Sequence, residues 1–294
     1  MANAASGIFP PSSVYRRAGV MTSRIGMTFH ETFSLNRPAL TSVIDVVCRQ
    51  GGRLDLQSIR KHTTLGTRYV LAMPRYGIGC GIFAESRLTC FGETVAAMDL
   101  ALATLTTQWL MHYHLSAPHG PGPWFWHHLV TRVLRVGQQI TPRDLAKEIA
   151  ETLPDHDGKQ LRERTIRSAA TVFVGSYAKA EGFNQLRLLQ EVGKGRFVVT
   201  QPEPVPVWAF AYALADYWTH QWGDRVTVNL SDLFEPGGLS SIFFLDAPMV
   251  ENLLVILRQE NLIDLYRVAP PYQLVRKWGP DTPRSLLERA YAIY

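Results

Sequence analysis

The chain has 294 residues, of which 46% are apolar and 19% are charged. This length is enough for about two domains or three small ones, and the composition excludes an intrinsically disordered protein. The three cysteines, Cys48, Cys80 and Cys90, include no C-x-x-C pair, which excludes a disulfide scaffold and a cysteine-type zinc module. No apolar run reaches the roughly 18 residues that a membrane span needs, so we expect a cytoplasmic protein.

Positive charge is concentrated in the N-terminal half of the chain. Residues 1–140 contain 13 Lys and Arg against 6 Asp and Glu, whereas residues 141–294 contain 17 against 19. Within residues 49–87 the chain has 7 basic and 2 acidic side chains. A local excess of cations is typical of proteins that bind phosphate, above all nucleic acid. The alternative is a solvated face that binds no ligand.

The N-terminal residues 1–27 contain no acidic side chain and lack the apolar stretch of a secretory signal, so we expect a flexible leader. A helix is predicted over residues 38–48 from its helical spacing of apolar side chains. Two more helices are predicted, one over residues 54–62 and one that starts near Thr67 and is ended by Pro74 together with Gly77, Gly79 and Gly81. Residues 82–89 then predict two short strands around a turn.

Helix, turn, helix and hairpin in this order are typical of a winged helix-turn-helix unit. The order recurs in residues 141–204, with a helix from Pro142 to Leu153, a helix from Gln160 to Ala180 and strands over residues 186–189 and 196–200. Residues 205–294 predict a third unit. Residues 201–294 carry 7 basic and 11 acidic side chains, so this part of the chain is better suited to bind protein than DNA. Apolar helices over residues 94–115 and 207–218 are predicted to be buried connectors.

Cations on these units, together with Thr67 at the start of a second helix, are the candidate nucleic-acid-binding residues. In helix-turn-helix proteins the second helix enters the major groove, and flanking cations neutralise phosphates. The candidates are Arg60, Lys61, Thr67, Arg68, Arg75 and Arg87 in the first unit, and Arg162, Arg164, Arg167, Lys194 and Arg196 in the second.

Histidines are frequent between the first two units. His112 and His114 project to different sides of a helix, and His127 and His128 are adjacent, so neither pair can chelate one ion without distortion. A site that combines His112 with His128 stays open, although no carboxylate or cysteine accompanies them. We expect these histidines to pack in the core or at an interface, and we predict no metal.

The sequence contains no P-loop, G-x-G-x-x-G, G-x-S-x-G or H-E-x-x-H motif. Asp155 and Asp157 precede Lys159 as in some nucleases, but we expect them in a turn. His30-Glu31 could supply a general base, although a capping or register-fixing role is favoured. Cys90 is expected to be a small apolar residue of the hairpin. We therefore predict neither a catalytic residue nor a cofactor.

Several motifs resemble a bacterial family known as domain of unknown function 4007. In chain order they lie at residues 29–33, Leu40, 65–67, 88–92, 108–115, 124–126, 165–177 and 239–245. The chain departs from the family pattern at residues 67–73, where a more basic, Met-containing helix is usual, and at residues 184–186, where Cys-Pro-Leu is common. The resemblance implies a component of bacterial DNA-modification and phage-defence islands, encoded beside sulfur-transfer enzymes of the phosphorothioation type. It carries over no catalytic residue.

We predict a mainly α-helical, α+β protein with two or three winged helix-turn-helix-like units joined by buried helices. The predicted divisions are a leader at 1–27 and units at 28–140, 141–204 and 205–294. The predicted function is non-catalytic binding of double-stranded DNA, together with other protein subunits of a bacterial modification or antiviral defence system. The alternatives are a protein–protein adaptor that does not contact DNA, and a nuclease that uses Asp155 or Glu31.

Overall fold

The computed structural model describes residues 24–152, 162–279 and 282–292. Most of the predicted leader and the segment with Asp155, Asp157 and Lys159 lie outside these residues. The last residues of the predicted leader, 24–27, are not a flexible leader, because Ile25 packs against the core and its backbone N–H donates to the Pro121 carbonyl at 3.0 Å.

The first unit begins with a helix whose apolar face enters the core. Asn36 caps this helix by accepting a hydrogen bond from the Ala39 N–H at 2.8 Å, as short polar side chains do at helix N-termini. The elements of the unit are α1 (Arg37–Arg49), α2 (Leu56–His62), α3 (Thr67–Gly79), β1 (Phe83–Ala84), β2 (Arg87–Leu88) and α4 (Cys90–Met98). Cys90 is the exposed first residue of α4 and not a residue of the hairpin, which corrects its predicted position.

Helix α3 continues through Pro74 and ends at Gly79, so of the predicted stop signals the glycines, and not Pro74, coincide with its end. Proline removes one helical hydrogen bond, but the packing of α3 offsets this loss because Met73 and Tyr76 are fully buried. Gly77 allows the close approach of α3 to β1, since a Cβ at this position would overlap the Phe83 ring.

The predicted helix over residues 94–115 is two helices, α4 and α5 (Leu105–Ser116). Asp99 ends the first, and its carboxylate accepts from the backbone N–H groups of Ala103 at 3.0 Å and Thr104 at 2.9 Å. Leu102, which lies between Asp99 and Ala103 in the chain, has a positive φ of 55°. This local hydrogen bonding turns the chain sharply, which the apolar pattern of the segment did not indicate.

The second unit follows a short connector made of α6 (Trp124–His128) and a π-helical turn (Leu129–Val133). Its elements are β3 (Gln139–Ile140), α7 (Pro142–Thr152), α8 (Glu163–Ala178), β4 (Leu189–Gly193) and β5 (Arg196–Val199). Residues 184–186, whose last residue was predicted to begin a strand, form a 3-10 turn instead.

The third unit begins with a long apolar helix. Its elements are α9 (Val207–Trp222), β6 (Thr227–Asn229), a 3-10 turn (Leu230–Phe234), α10 (Leu239–Ile242), α11 (Ala247–Gln259), β7 (Ile263–Tyr266), β8 (Gln273–Arg276) and α12 (Thr282–Tyr291). Helix α9 contacts α5, α11 and α12, and most of its residues are buried, as expected for a connecting core helix. The described chain is thus a mixed α/β protein of twelve helices and small sheets.

The three small sheets share one connection pattern. In the second and third units, a strand before two helices pairs with the second strand of the hairpin after them, giving the orders β3-β5-β4 and β6-β8-β7. In the first unit the same position is taken by Arg53, which forms an isolated antiparallel bridge with Arg87 on β2. The element order predicted from the sequence is therefore present three times.

No single helix of the described residues is long and apolar enough to cross a membrane. The segments Leu230–Ile242 and Ala247–Gln259 have the length and apolar composition of a membrane span only when taken together, and they meet at an angle of 92°.

Candidate nucleic-acid interface

The last turn of α2 carries two exposed cations, Arg60 and Lys61. Ile59 beside them is fully buried and fixes the helix to the core. At the other end, Asp55 accepts from the Ser58 N–H at 2.9 Å, and hydrogen bonds from Ser58 lower the pKa of Asp55. Because helix C-termini attract cations, this turn stabilises both charges while leaving them available to solvent.

The N-terminus of α3 is the second exposed part of the first unit. Thr67 and Arg68 are exposed in its first turn, whereas the helix is mostly buried from Val70 onward. Gly66 occupies the N-cap position, and no side chain accepts a hydrogen bond there. This end of α3 is open to solvent, and recognition helices contact DNA through their N-terminal residues.

Arg75 lies on the same helix but differs from Arg68 because it already has a partner. Its guanidinium donates to the Glu31 carboxylate at 2.6 Å, and the Tyr76 hydroxyl donates to the Phe33 carbonyl at 2.9 Å. These contacts bind α3 to the segment before α1. The ion pair removes our reason to group Arg75 with the phosphate-binding candidates.

His30 and Glu31 have structural partners, as the register-fixing interpretation requires. The Thr32 N–H donates to His30 Nδ1 at 2.9 Å, which closes a turn in which Glu31 and Thr32 both have positive φ. Burial lowers the pKa of His30 to about 4, so its ring is neutral near pH 7. The turn presents Glu31 to Arg75.

The hairpin of the first unit adds exposed arginines. Arg87 lies on the solvent side of β2, and Arg53 lies directly opposite it on the preceding strand position. None of the sequence patterns indicated Arg53, although its position before α2 is where the first strand of such a unit is expected. Arg53, Arg60, Lys61, Arg68 and Arg87 form no ion pair with any described residue.

Cations of the second unit occupy its long helix and its hairpin. Arg162 precedes α8, and Arg164 is exposed in its first turn. Arg167 forms an ion pair with Glu163 one turn earlier, so its charge is partly neutralised. Lys194 and Arg196 are exposed at the turn between β4 and β5. The structure thus assigns these predicted residues to two exposed edges of one unit.

Cations of the third unit mostly have acidic partners. Its ion pairs are Arg267–Glu251 at 3.1 Å, Lys277–Asp264 at 2.8 Å, Arg284–Glu288 at 3.5 Å and Arg289–Glu260 at 2.8 Å. This balance agrees with the negative net charge of the segment. It contrasts with the unpaired cations of the first unit.

The alternative metal site that would combine His112 with His128 is not formed. His112 is fully buried, with Nδ1 at 2.7 Å from the Tyr177 hydroxyl and Nε2 at 2.8 Å from the Ile242 carbonyl. Both ring nitrogens are therefore occupied. His128 contacts the Thr152 hydroxyl at 3.1 Å instead, and burial lowers the pKa of both histidines.

A different histidine cluster surrounds Asp216 on α9. Its carboxylate accepts from the Tyr113 hydroxyl at 2.7 Å and from His119 Nε2 at 2.9 Å, and His220 Nδ1 lies 3.7 Å away. Burial alone would raise the pKa of Asp216, but the hydrogen bond and charge of His119 hold it well below its usual range. Asp216 and His220 lie one helical turn apart on an apolar helix. This spacing of two polar side chains was the sequence signal that could have indicated the cluster.

This cluster has a metal-compatible donor set but not a metal-binding geometry. The rings of His119 and His220 are parallel within 2°, with centroids 4.1 Å apart. Imidazole lone pairs lie in the ring plane, so two stacked rings cannot direct them at one ion until His220 rotates. As it stands, the cluster positions a largely buried carboxylate through its hydrogen bonds with Tyr113 and His119.

The fold is similar to that of two crystal structures, described as magnesium ion-bound SspB and SspB. The TM-scores are 0.75 and 0.74, the sequence identities 18% and 19%, and each match covers 92% of this chain and 89% of the other. No curated protein matches the chain. A family model described as protein of unknown function (DUF4007) matches residues 28–291. That match covers nearly the whole chain and confirms the resemblance seen in its motifs, so the protein belongs to the DUF4007 family.

Proposed function

We propose that this protein binds double-stranded DNA as a non-catalytic subunit of a bacterial DNA-modification or antiviral defence system. The observation that carries the proposal is a set of exposed cations without ion pairs among the described residues, on α2, on the first turn of α3 and on the hairpin of one unit. Unpaired cations on neighbouring elements favour an anionic partner, because exposed charges otherwise gain little from the fold.

The connection pattern supports the same proposal. A first strand, two helices and a hairpin whose second strand pairs with the first strand is the order of a winged helix. We interpret residues 28–140, 141–204 and 205–294 as three such units, with α3, α8 and α11 as their second helices. On this interpretation Thr67 and Arg68 face the major groove, and Arg60, Lys61 and Arg87 neutralise flanking phosphates.

The family and the fold support the biological context. The motifs that resemble the DUF4007 family imply a place in modification and defence islands, and the family match covers the same residues. The two SspB structures have the same overall fold. We propose that other subunits of a phosphorothioation-type system are the protein partners.

The test is a fluorescence-anisotropy titration of duplex DNA at several salt concentrations. The variant Arg60→Glu/Lys61→Glu is compared with Arg225→Glu/Arg258→Glu, which makes the same charge change at exposed positions of the third unit. We expect wild type and the control to bind with a steep salt dependence, and the first variant to bind more weakly with a slope smaller by about 2. Equal binding by both variants would exclude Arg60 and Lys61 on α2 from the contact surface.

The same titrations include magnesium, because a magnesium ion is bound in one of the SspB structures. The DNA is recovered and run on a denaturing gel. Intact strands in all samples are the expected result. Strand cleavage that requires magnesium would overturn the non-catalytic part of the proposal while leaving DNA binding in place.

An adaptor role is the second candidate, and the third unit favours it. Side chains of α11 and of the β7–β8 hairpin expose a group of large apolar residues, namely Val255, Ile256, Tyr266, Val268 and Tyr272. If wild type fails to bind DNA at low salt, a protein partner for this surface becomes the leading hypothesis.

A further inference from the structure

Arg53 and Arg87 occupy the closest type of position across an antiparallel strand pair. The Leu54 N–H donates to the Ser86 carbonyl at 2.8 Å, and the Leu88 N–H donates to the Gly52 carbonyl at 3.1 Å. These two hydrogen bonds flank the bridge between Arg53 and Arg87, so the arginines form a non-hydrogen-bonded pair. In such pairs the side chains leave the same face of the sheet and lie nearest to each other.

This arrangement places two like charges side by side in solvent. Both arginines are exposed, and within residues 24–152 and the other described ranges neither forms an ion pair. The nearby carboxylate of Asp55, whose pKa the charge of Arg53 helps to lower, accepts hydrogen bonds from the backbone N–H groups of Gln57 and Ser58. On the far side of Arg87 the paired residue is Ala84, which is too short to shield a guanidinium. Like charges directly opposite each other destabilise a sheet, so an anion that joins the two arginines would relieve their repulsion.

The backbone holds this pair in place. The hairpin turn uses Glu85 and Ser86, with φ of 47° and 61°, and Leu88 behind it packs against the core. Gly51 and Gly52, with φ of 67° and 80°, form the turn that leads into Arg53. Because both strands are anchored, less conformational entropy is lost when the two arginine side chains converge on a ligand.

We propose that Arg53 and Arg87 together bind one phosphate group, which in the proposed function is a backbone phosphate of duplex DNA. Guanidinium groups donate two parallel hydrogen bonds to a phosphate, and the two arginines could therefore hold one phosphate from two sides. The inference deepens the proposed function and rests on it for the identity of the ligand. It adds Arg53, which none of the sequence patterns indicated, to the contact surface.

The test uses Arg53→Gln, Arg87→Gln and the double variant, with Arg49→Gln as a matched control. Arg49 is also an exposed arginine, but it is paired with Asp45 at 2.6 Å. For duplex DNA at low salt we expect each single variant to bind about tenfold more weakly with a salt slope smaller by about 1. The double variant should lose less than the product of the two single losses, because both arginines hold one phosphate.

The stability of the same variants without DNA distinguishes this role from a structural one. Removal of one like charge should leave the melting temperature unchanged or raise it by about 1 °C. If Arg53→Gln lowers both stability and binding, the arginine supports the hairpin and the inference is overturned.

A final comparison separates the ligand sources. In millimolar inorganic phosphate, at constant ionic strength, the melting temperature of wild type should rise and that of the double variant should not. If wild type responds to phosphate but binds no DNA, the phosphate site stands and the proposed function fails. If wild type binds DNA while Arg53→Gln behaves like Arg49→Gln, the proposed function stands and this inference fails.

Discussion

His112 on α5 and Tyr177 on α8 are joined by a hydrogen bond of 2.7 Å between the imidazole Nδ1 and the phenol oxygen. Because His112 Nε2 faces the Ile242 carbonyl at 2.8 Å, Nε2 carries the proton and Nδ1 accepts from the phenol. The Tyr177 oxygen in turn accepts from Trp126 Nε1 at 2.9 Å. This buried network joins the connector, the second unit and the third unit.

Replacement of His112 should therefore destabilise the protein. We expect His112→Phe to lower the free energy of unfolding by about 2–4 kcal/mol, because the Ile242 carbonyl is left without its donor inside the core. His112→Asn, which can restore one of the two hydrogen bonds, should lose less. Urea denaturation measures both values, and equal stability of wild type and His112→Phe would contradict the network.

Acidification should destabilise the fold between pH 6.5 and 4. Burial lowers the pKa of His112 and His127 to about 4, whereas the unfolded chain has values near 6.5. The unfolded state thus binds more protons in this window, and stability falls as the pH decreases. The loss is about 2 kcal/mol for each histidine at pH 5.

Melting temperatures recorded from pH 7.5 to pH 5 test this expectation. His127→Gln should show a weaker pH dependence than wild type, because one buried titrating group is removed. The control is His62→Gln, since His62 is exposed on α2. A pH dependence that is the same in His127→Gln and in the control would contradict the assignment.

Arg37 at the start of α1 should resist replacement by lysine. Its buried guanidinium donates to the carbonyls of Gly182 at 2.7 Å, Leu102 at 2.9 Å and Ala180 at 2.9 Å. A lysine ammonium cannot reproduce this planar set of donors. We expect Arg37→Lys to lower the free energy of unfolding by about 2 kcal/mol or more, measured by urea denaturation. Arg49→Lys, at an exposed position, should change it by less than about 0.5 kcal/mol.

Replacement of Arg68 and of Arg75 on α3 by alanine should have different effects: the first should weaken DNA binding and the second should lower stability. Arg68→Ala removes an exposed, unpaired cation at the helix N-terminus and should weaken DNA binding by about 5- to 150-fold with unchanged stability. Arg75→Ala breaks the ion pair with Glu31, so it should lower the melting temperature and leave DNA affinity unchanged. Fluorescence anisotropy measures DNA affinity and thermal melts measure stability for both variants. A larger loss of DNA affinity in Arg75→Ala than in Arg68→Ala would contradict the assignment of Arg68 to DNA contact and of Arg75 to the fold.

The sequence predicted the order of helices and hairpins because their signals are local. Asn36 and Pro38 mark the start of α1, and the turn at residues 85–86 marks the hairpin. The same local signals failed at Pro74 and at Asp99. At Pro74, the burial of α3 outweighs the free-energy cost of the hydrogen bond that proline removes. At Asp99, hydrogen bonds that the carboxylate accepts from the backbone end a helix that the apolar pattern alone would continue.

The candidate site was predictable only as a set of charges. The sequence by itself determined the excess of cations in residues 49–87, the acidic character of the third unit and the family motifs. The tertiary structure decided which charges have partners, since Arg75 meets Glu31 across 44 residues and Tyr113 meets Asp216 across 103. It also placed Arg53 opposite Arg87. Hydrogen bonds and ion pairs act over a few ångströms, so they depend on which distant segments the fold brings together, and neither composition nor spacing encodes that proximity.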